Sequence, residues 1–281
     1  MKLIADSGST KTEWRFAGGD EKFPAVITSG INPYFHDAPE IARVVREELL
    51  PVAGEKQIRD IYFYGAGCSS EAMRSIVKKG LADCFPHAGI TISHDLLAAA
   101  RALCGRERGI AAILGTGSNS CLFDGEKIID NVPSLGFILG DEGSGAYLGK
   151  KLLCHFLYRE LPPPIHRDFT AASGLTNEKV LEMIYRKKNP NKYLASFSPF
   201  IREHISDPFM EKMVADSFTE FFRRHIFKYD NYGAESLHVV GSVGFHYREI
   251  LLKAASASGI RAGKIMKSPM EGLVEFHSEG I

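Results

Sequence analysis

The sequence predicts an α/β protein built from a duplicated module. Residues 1–16 read MKLIADSGSTKTEWRF and residues 110–123 read IAAILGTGSNSCLF, so an apolar run, a turn rich in Gly, Ser and Thr, and a second strand-like run occur twice. Apolar runs bounded by such turns are typical of β-hairpins. Strand and helix patterns alternate through most of the remaining chain, which favours α/β layers with parallel strand pairing.

The first half predicts the element order β-β-β-α-β-α-β-α. A helix over 41–50 begins after Pro39 and ends at Gly54, and a helix over 95–103 ends at Gly105. The other predicted elements are strands at 3–5, 12–17, 21–28, 59–64 and 90–93 and a helix at 70–84.

The second half begins with the same three strands and then departs from the first. A long helical region runs from 142 to about 229, interrupted at Pro162-Pro163-Pro164 and at Asn189-Pro190. Strands are predicted at 110–115, 118–123 and 127–131 before it and at 236–240 and 260–265 after it. The last helices are predicted at about 245–256 and from 269 onward. The helical region is therefore an insertion into the second module.

Composition limits the possible partners. The 281 residues are 44% hydrophobic, enough for one large domain or two medium ones. Lys+Arg and Asp+Glu both number 34, so we expect neither nucleic acid nor an anionic membrane as partner. No apolar run approaches the roughly 18 residues of a membrane span, and the first residues predict a strand rather than a signal peptide.

Five widely spaced cysteines, an odd number, predict free thiols in a cytoplasmic protein. No Cys-x-x-Cys or His/Cys cluster indicates zinc or an iron–sulfur centre.

The two hairpin turns are candidate phosphate sites. A turn rich in Gly and hydroxyls directs several backbone N–H groups toward one point, and such a concavity binds phosphate. Two ordinary turns are the alternative, but they would not be expected to recur together. Two facing turns could hold a nucleoside triphosphate, which favours a phosphotransferase or an ATPase. The candidate residues are Gly8, Ser9, Thr10 and Lys11 in the first turn and Thr116, Gly117 and Ser118 in the second.

Asp6 ends the first predicted strand, directly beside the first turn. A carboxylate in that place could hold Mg²⁺ against the phosphates, directly or through water. Asp is also common in ordinary hairpin turns, and that alternative stays open. Lys11 could add positive charge to the phosphates or be a solvated strand residue.

Asp95 follows the predicted strand 90–93 and begins a helix. Open α/β sheets bind ligands at the carboxyl ends of their strands. Phosphoryl transfer to an alcohol needs a carboxylate that takes the hydroxyl proton, and Asp95 is the candidate base. The alternative is a helix N-cap, a position that Asp favours.

Two further glycine-rich segments are candidates for substrate and nucleotide. Residues 140–145 read GDEGSG, where Asp141 and Glu142 could orient substrate hydroxyls or complement the dipole of the next helix. Three glycines are more than a cap requires, which favours function. Gly241 and Ser242 could bind the nucleotide at a helix N-terminus, or belong to a tight strand-to-helix connection.

Asn32 follows the third predicted strand and precedes Pro33. It could hydrogen-bond a sugar hydroxyl or be an ordinary turn residue. An aromatic stripe at helical spacing indicates a core helix or a dimer face; its members are Phe218, Phe221, Phe222 and Phe227.

Together these motifs resemble those of the actin-like sugar kinase/ATPase superfamily. Residues 6–12 resemble its first phosphate motif, 114–120 (LGTGSNS) the second and 239–244 (VVGSVG) the adenosine motif. Residues 114–120 and 140–145 are most similar to the N-acetylglucosamine kinase group, which is grouped with the ATPase activators of 2-hydroxyacyl-CoA dehydratases. The resemblance covers nearly the whole chain, with the motifs in order.

The resemblance implies two RNase H-like domains around an interdomain cleft, with the helical insertion in the second. The first domain would comprise 1–108 with 267–281 returning to it, and the second 109–266. ATP would lie between the two hairpin turns and the sugar deeper, with closure excluding water.

Residue roles are also implied by the resemblance. Asp6 would serve Mg²⁺ and Asp95 would be the catalytic base. The phosphates and adenosine would be bound by Gly8, Ser9, Thr10, Lys11, Thr116, Gly117, Ser118, Gly241 and Ser242. The sugar would be bound by Asn32, Tyr34, Gly136, Asp141 and Glu142.

Two segments depart from the family pattern. His94-Asp95-Leu96 stands where the family usually has Asn-Asp-Ala, which leaves the base role intact and changes its neighbours. Ser134-Leu135-Gly136-Phe137 stands where related kinases often have Cys-Gly-Gly-Trp beside the sugar. Glucosamine or another amino sugar therefore stays open as the substrate.

We predict a kinase that uses ATP and Mg²⁺ to phosphorylate the 6-hydroxyl of N-acetylglucosamine, as a cytoplasmic homodimer. One alternative is an ATPase activator of a 2-hydroxyacyl-CoA dehydratase-type redox partner, with an iron–sulfur cluster at its subunit interface. Cys121 and Cys154 are the only cysteines of the second half, and neither lies in a Gly-rich ligand loop. A second alternative, a non-catalytic sugar sensor, ranks last. Such sensors generally carry a DNA-binding helix-turn-helix before the first strand, whereas this sequence starts with that strand.

Overall fold

The computed structural model describes residues 1–8, 10–18, 24–53 and 57–278. The chain divides into two compact units. Unit 1 comprises Met1–Arg106, Gly125–Lys127 and Ser268–Ile281, and unit 2 comprises Glu107–Asp124 and Ile128–Lys267. That residues 1–108 with 267–281, and residues 109–266, form two independently folding domains stays a prediction.

Unit 1 contains a five-stranded sheet in the order β3-β2-β1-β4-β5. Its strands are β1 (Lys2–Ser7), β2 (Lys11–Ala17), β3 (Val26–Ser29), β4 (Asp60–Gly65) and β5 (Gly89–His94). β1, β2 and β3 pair antiparallel, whereas β1 with β4 and β4 with β5 pair parallel. β3 is shorter than the strand predicted at 21–28: it begins after Pro24, which lacks a backbone N–H for a ladder, and residues 21–23 lie outside the described residues.

The helices of unit 1 lie between these strands and after unit 2. They are α1 (Ala38–Val44), α2 (Leu50–Ala53), α3 (Glu71–Cys84), α4 (Asp95–Cys104) and α14 (Met270–Ser278). α1 begins at a capping box, in which Asp37 and Glu40 each bond the other's backbone N–H. The predicted helix 41–50 is interrupted by a π-helical turn at Val45–Leu49, a feature that hydrophobic periodicity does not reveal.

Unit 2 repeats the same strand connectivity. Its sheet has the order β10-β9-β6-β7-β8, built from β6 (Gly109–Leu114), β7 (Ser118–Phe123), β8 (Ile128–Asp130), β9 (Ser236–Val240) and β10 (Arg261–Met266). β6, β7 and β8 pair antiparallel, and β6 with β9 and β9 with β10 pair parallel. The predicted α/β fold class, with a duplicated module, is therefore confirmed.

The predicted helical region separates β8 from β9. It consists of α5 (Gly136–Leu139), α6 (Gly145–Leu157), α7 (Pro163–Ser173), α8 (Asn177–Tyr185), α9 (Pro190–Ala195), α10 (Ser198–Glu203) and α11 (Pro208–Arg224), followed by a 3₁₀ turn at Ile226–Lys228. The helix predicted at about 245–256 is two helices, α12 (Ser242–His246) and α13 (Arg248–Ala257), because Tyr247 leaves helical geometry at φ −106° and ψ 24°.

Each unit has its own apolar core. In unit 1, Trp14 is fully buried and its indole N–H donates to Thr28 Oγ1 at 2.9 Å. In unit 2, Phe218, Phe221 and Phe222 of α11 are fully buried, so this stripe is core rather than an exposed face. Burying each such ring stabilises the fold by roughly 1.5–3 kcal/mol. None of the described helices is both long and apolar enough to cross a bilayer.

The returning helix α14 is fixed to unit 1 by polar and apolar contacts. His277 Nε2 lies 2.8 Å from Tyr64 Oη, and Lys2 Nζ donates to the His277 carbonyl at 2.6 Å. The His277 ring stacks on Tyr62 at 3.8 Å between centroids. Gly272 passes so close to the backbone of Ala102 in α4 that a side chain would not fit there.

Candidate functional site

The β1–β2 turn of unit 1 holds the first group of predicted residues. The Gly8 N–H donates to the Lys11 carbonyl at 3.0 Å, and the Thr10 carbonyl accepts from the Gly30 N–H at 3.1 Å. Thr10 and Lys11 are exposed, and Ser9 lies outside the described residues. The Gly8 N–H is therefore already hydrogen-bonded within the turn. Phosphate binding by the other groups of the turn stays a prediction.

Asp6 lies at the carboxyl end of β1, in register with Tyr64 of β4, which itself pairs with Ser93 of β5. Burial, followed by Asp95 and Glu13, raises the pKa of Asp6 to about 7, and Lys11 opposes the rise. Asp6 and Asp95 therefore lie within electrostatic reach of each other at one sheet edge. The register of the parallel strands β1, β4 and β5 brings them to the same end of the sheet.

Asp95 is the first residue of α4, but it is not the cap of that helix. His94 takes the cap position, and its Nδ1 accepts from the Leu97 N–H at 3.3 Å. Asp95 Oδ1 accepts from the Leu96 N–H at 2.9 Å. Burial raises the pKa of Asp95 and lowers that of His94. The helix-cap alternative for Asp95 is therefore wrong, and the neutral His94 satisfies that N–H instead.

Asn32 is buried in the loop after β3, with 6% of its surface exposed. Its Oδ1 accepts from the Tyr34 N–H at 3.0 Å, which fits the turn role considered for it. Gly67, after β4, packs on it: with φ +86°, a Cβ there would lie 2.6 Å from Asn32 Oδ1. Tyr34 is 63% exposed, so its ring is accessible to a ligand.

The β6–β7 turn of unit 2 is packed against the start of α6. The Gly145 N–H donates to the Gly115 carbonyl at 2.8 Å, and the Ala146 N–H donates to the Thr116 carbonyl at 3.0 Å. The Gly115 N–H donates to the Gly117 carbonyl at 3.0 Å and closes the turn. The N-terminal N–H groups of α6 therefore satisfy the carbonyls of the turn and fix its conformation.

Asp141 joins residues 140–144, the acidic loop, to the same turn. Its Oδ1 accepts from the Ser118 N–H at 3.1 Å and from Ser134 Oγ at 3.2 Å. Gly117 packs closely on this carboxylate, since a Cβ there would lie 3.1 Å from both Asp141 carboxylate oxygens. Burial raises the pKa of Asp141, and the hydrogen bonds from Ser118 and Ser134 oppose the rise.

Glu142 points to a different place. Its carboxylate lies 3.0 Å from Arg224 Nε and 3.6 Å from His225 Nε2, at the end of α11. The cap of α6 is Ser144, whose Oγ accepts from the Tyr147 N–H at 3.1 Å. Neither Asp141 nor Glu142 is in the first turn of α6, so the helix-dipole alternative is wrong for both.

Gly136 begins the short helix α5 at φ +69°, and a Cβ there would meet no heavy atom within 4 Å. Its neighbours Leu135, Ile138 and Leu139 are exposed. Open space and a positive φ make this segment accessible to a ligand.

Gly241 follows β9 and lies against the β6–β7 turn. It has φ +127°, and a Cβ there would overlap the carbonyl of Leu114. Its N–H donates to the Met266 carbonyl at 2.9 Å. Ser242 is exposed at the start of α12, which has only five residues. The close approach of the Gly241 and Leu114 backbones thus explains why residue 241 is a glycine. Nucleotide binding by Gly241 and Ser242 stays a prediction.

A cavity of about 320 Å³ beside α12 contains residues that the sequence does not single out. Its lining includes Arg202, Phe245, His246 and Arg248. Arg202 Nη1 lies 3.1 Å from His246 Nδ1, and Arg248 Cζ lies 5.8 Å from the Phe245 ring centroid. Burial, Arg202 and Lys267 lower the pKa of His246. Only the nearness of Phe245 and His246 to Gly241 in the sequence points to this cavity.

Among the described residues, no group of three or more His, Cys, Asp or Glu side chains could hold a metal ion. All five cysteines are free, as the sequence predicts. The candidate residues lie in both units. Unit 1 contains Asp6, Asn32, Tyr34 and Asp95 with the first turn, and unit 2 contains Gly136, Asp141, Glu142, Gly241 and Ser242 with the second.

Comparisons with solved structures give relatives over the whole chain. A structure from Porphyromonas gingivalis, provisionally named an N-acetylglucosamine kinase, is 46% identical, covers 100% of this chain and 99% of its own, and has a TM-score of 0.94. A structure from Chromobacterium violaceum with the same provisional name is 17% identical, with 98% of each chain covered and a TM-score of 0.74.

A more distant structure shows the fold alone. The ROK family glucokinase from Streptomyces griseus, in complex with glucose and AMPPNP, is 12% identical over 98% of this chain and 97% of its own, with a TM-score of 0.53. Neither a protein-family model nor a curated protein matches the chain.

Proposed function

The chain belongs to the N-acetylglucosamine kinase-like family of the actin-like sugar kinase/ATPase superfamily, and we propose that it phosphorylates an amino sugar. Its class of activity is ATP-dependent phosphorylation of a sugar. The acceptor that we propose is the 6-hydroxyl of N-acetylglucosamine. The single observation that carries this proposal is the pair of carboxylates, Asp6 and Asp95, at one edge of the unit 1 sheet.

We propose that Asp95 is the general base. It would take the proton of the sugar hydroxyl while that oxygen forms a bond to the γ-phosphorus of ATP. The bond from that phosphorus to the bridging oxygen breaks, and ADP leaves with the electron pair. Because burial raises the pKa of Asp95, its carboxylate is a stronger base than an exposed one. The Leu96 N–H donates to Asp95 Oδ1 at 2.9 Å and so limits the orientations that the carboxylate can take.

Asp6 fits a magnesium site. Asp95 and Glu13 raise its pKa, so the carboxylates repel one another, and a divalent cation would relieve that repulsion. Mg²⁺ is usually held by one or two carboxylates together with water and phosphate oxygens, which suits a site with few protein ligands. When bound, the ion would neutralise charge on the phosphates of ATP.

We propose that the two glycine turns bind the phosphates, with Gly8, Ser9, Thr10 and Lys11 in unit 1 and Thr116, Gly117 and Ser118 in unit 2. Exposed hydroxyls at Thr10 and Thr116 support this assignment. The cavity beside α12, the helix that begins at Ser242, supports an adenosine site in this part of unit 2. Its Phe245 ring offers a face for the base, and the guanidinium groups of Arg202 and Arg248 offer donors.

We propose that Asn32, Tyr34, Gly136 and Asp141 contact the sugar. The exposed Tyr34 ring can pack on a sugar face, and the buried Asp141 carboxylate can accept hydroxyl hydrogen bonds. Asn32 Oδ1 accepts from the Tyr34 N–H and so holds the backbone from which the Tyr34 ring projects.

The test is ADP release with Mg·ATP across glucose, glucosamine, N-acetylglucosamine, N-acetylmannosamine and N-acetylmuramic acid. We expect turnover with one or two amino sugars, and ³¹P-coupled NMR of the product to place the phosphate on O6. Sugar-independent ATP hydrolysis across the whole panel would overturn the proposal and favour the activator of a redox partner. A cytoplasmic homodimer stays a prediction, and light scattering after gel filtration tests the dimer.

A further inference from the structure

Both carboxylate oxygens of Glu142 face the end of α11. Oε1 lies 3.0 Å from Arg224 Nε, and Oε2 lies 3.6 Å from His225 Nε2. Glu142 is 5% exposed and His225 is 4% exposed. Arg224 Nε also lies 3.2 Å from Glu220, so the guanidinium is shared between two carboxylates. A buried carboxylate needs such partners, and Glu142 has them within its own unit.

The next residue, Gly143, is attached to the same helix. Its N–H donates to Ser217 Oγ at 3.1 Å. Its backbone is at φ +77°, and a Cβ there would lie 3.1 Å from Phe221 Cβ. Helix α11 therefore holds two consecutive residues of the acidic loop, one by its side chain and one by its backbone.

These contacts adjoin a strained residue. Asp141 has φ +60°, a conformation that residues other than glycine rarely adopt. Such a backbone persists only where its surroundings determine it. On one side, Asp141 is bonded to Ser118 and Ser134 through its carboxylate. On the other, Glu142 and Gly143 are fixed to α11.

We propose that Glu142 is a positioning residue that, with Arg224 and His225, holds the Asp141 carboxylate beside the β6–β7 turn. Glu142 then does not bind the sugar itself, because both of its carboxylate oxygens face α11. This inference rests on the proposed function, in which Asp141 contacts the sugar. It assigns to α11, through its contacts with this loop, control over the geometry of the proposed sugar site.

The first test needs no substrate. Amide hydrogen exchange of Ser118, followed by NMR, reports the hydrogen bond to Asp141. We expect Glu142→Gln and Arg224→Met to speed this exchange at least tenfold, and Arg224→Lys to have a smaller effect because it keeps the charge. The exchange of Ile110, in the same sheet, serves as reference and stays unchanged if the effect is local. Unchanged exchange at Ser118 in both variants overturns the proposal.

The second test uses the sugar that supports turnover. Glu142→Gln should lower kcat/KM for the sugar about tenfold. The double variant Glu142→Gln with Arg224→Met should lose no more activity than the more affected single variant, because both substitutions break the same ion pair. The matched control is Arg223→Met, since Arg223 pairs with Glu220 at 2.9 Å and not with Glu142.

Deoxy analogues of the sugar then separate positioning from direct binding. A positioning residue gives the same fold-loss in Glu142→Gln with every analogue. A loss that disappears with one deoxy analogue shows a direct contact to that hydroxyl and overturns the proposal. If the wild-type protein turns over no sugar, the proposed function fails, and the exchange measurement still decides this inference.

Discussion

Asp141 accepts a hydrogen bond from the backbone N–H of Ser118 at 3.1 Å, so the acidic loop and the β6–β7 turn are one connected structure. A phosphate that used the Ser118 N–H would have to share it with this carboxylate or displace it. Burial raises the pKa of Asp141, so this carboxylate takes up a proton more readily than an exposed one when an anion binds beside it.

Asp141→Asn tests the charge alone. Asn keeps an acceptor oxygen and tolerates a positive φ, so we expect Tm to stay near that of the wild type. Because hydrogen bonds to a charged group contribute about 1.5–3 kcal/mol, kcat/KM for the sugar should fall roughly 10- to 100-fold. Asp141→Ala should also lower Tm, which thermal unfolding measures. Equal activity of Asp141→Asn and wild type would exclude Asp141 as a sugar ligand.

Asp95→Asn removes the proposed base and keeps the acceptor for the Leu96 N–H. We expect kcat to fall by roughly 10²–10⁴ with a small change in KM, since general-base catalysis contributes that range. Stopped-time ADP assays with the active sugar measure it. Asp130→Asn, at an exposed residue, is the matched control. Near-normal turnover in Asp95→Asn would rule out the base role.

Gly241→Ala should be strongly destabilising. The residue has φ +127° and no room for a Cβ beside the Leu114 carbonyl, so the backbone of the turn must move. Overpacking of this kind costs about 1–3 kcal/mol, and the positive φ adds to it. Urea unfolding measures the loss, and Gly233→Ala, where a Cβ meets nothing within 4 Å and φ is not positive, should be close to neutral.

Phe245→Ala tests the cavity beside α12 as the adenosine site. Loss of a stacking ring should raise KM for ATP about 3- to 10-fold, equivalent to the 0.5–1.5 kcal/mol of an aromatic contact, and leave KM for the sugar unchanged. Steady-state kinetics with each substrate varied in turn separates the two constants. Tyr158→Ala, at a 75% exposed ring outside this cavity, is the control. A change in sugar KM alone would contradict the assignment.

His277 makes the stability of the protein depend on pH. Burial, followed by Arg101, Lys2 and Arg106, lowers the pKa of His277 to about 4 from its usual 6.5. Between these values the unfolded chain binds the proton and the folded chain does not, so stability is highest above pH 6.5 and falls as the pH drops toward 4. The full loss is roughly 3 kcal/mol.

Urea unfolding from pH 7.5 to pH 4 measures this dependence. His277→Gln should remove part of it, whereas His87→Gln, at an exposed histidine, should leave it unchanged. A wild-type slope equal to that of His277→Gln would show that other groups carry the pH dependence.

The parts of the fold that depend on local pattern could be predicted from the sequence. The two hairpins, the duplicated strand order and the helical insertion follow from apolar runs and turn residues, and the family resemblance is confirmed by the 46% identical relative. The cap of α4 could not be predicted, because His94 is not a favoured cap residue and Asp95 is. The π-helical turn at Val45–Leu49 leaves no periodic signature.

The surroundings of the candidate site depend on packing between distant segments. Glu142 meets Arg224 and His225 about eighty residues later because α11 folds back on the acidic loop. Likewise Arg202 reaches His246 only through the packing of α10 and α12. Such pairs have no local signal, so the sequence identifies the loop residues and not the groups that hold them. The roles of the site residues stay predictions.

Because α14 belongs to unit 1, that unit is assembled from segments made before and after unit 2. On the ribosome, residues 107–267 leave the exit tunnel before residues 268–278, so unit 2 can fold while unit 1 still lacks a helix. Until then, the surface that Met270 and Leu273 later bury, which includes Ile4, Tyr64 and Ala98, is open to solvent. Any delay in the docking of α14 would thus prolong exposure of this apolar patch and favour chaperone capture or aggregation of the nascent protein.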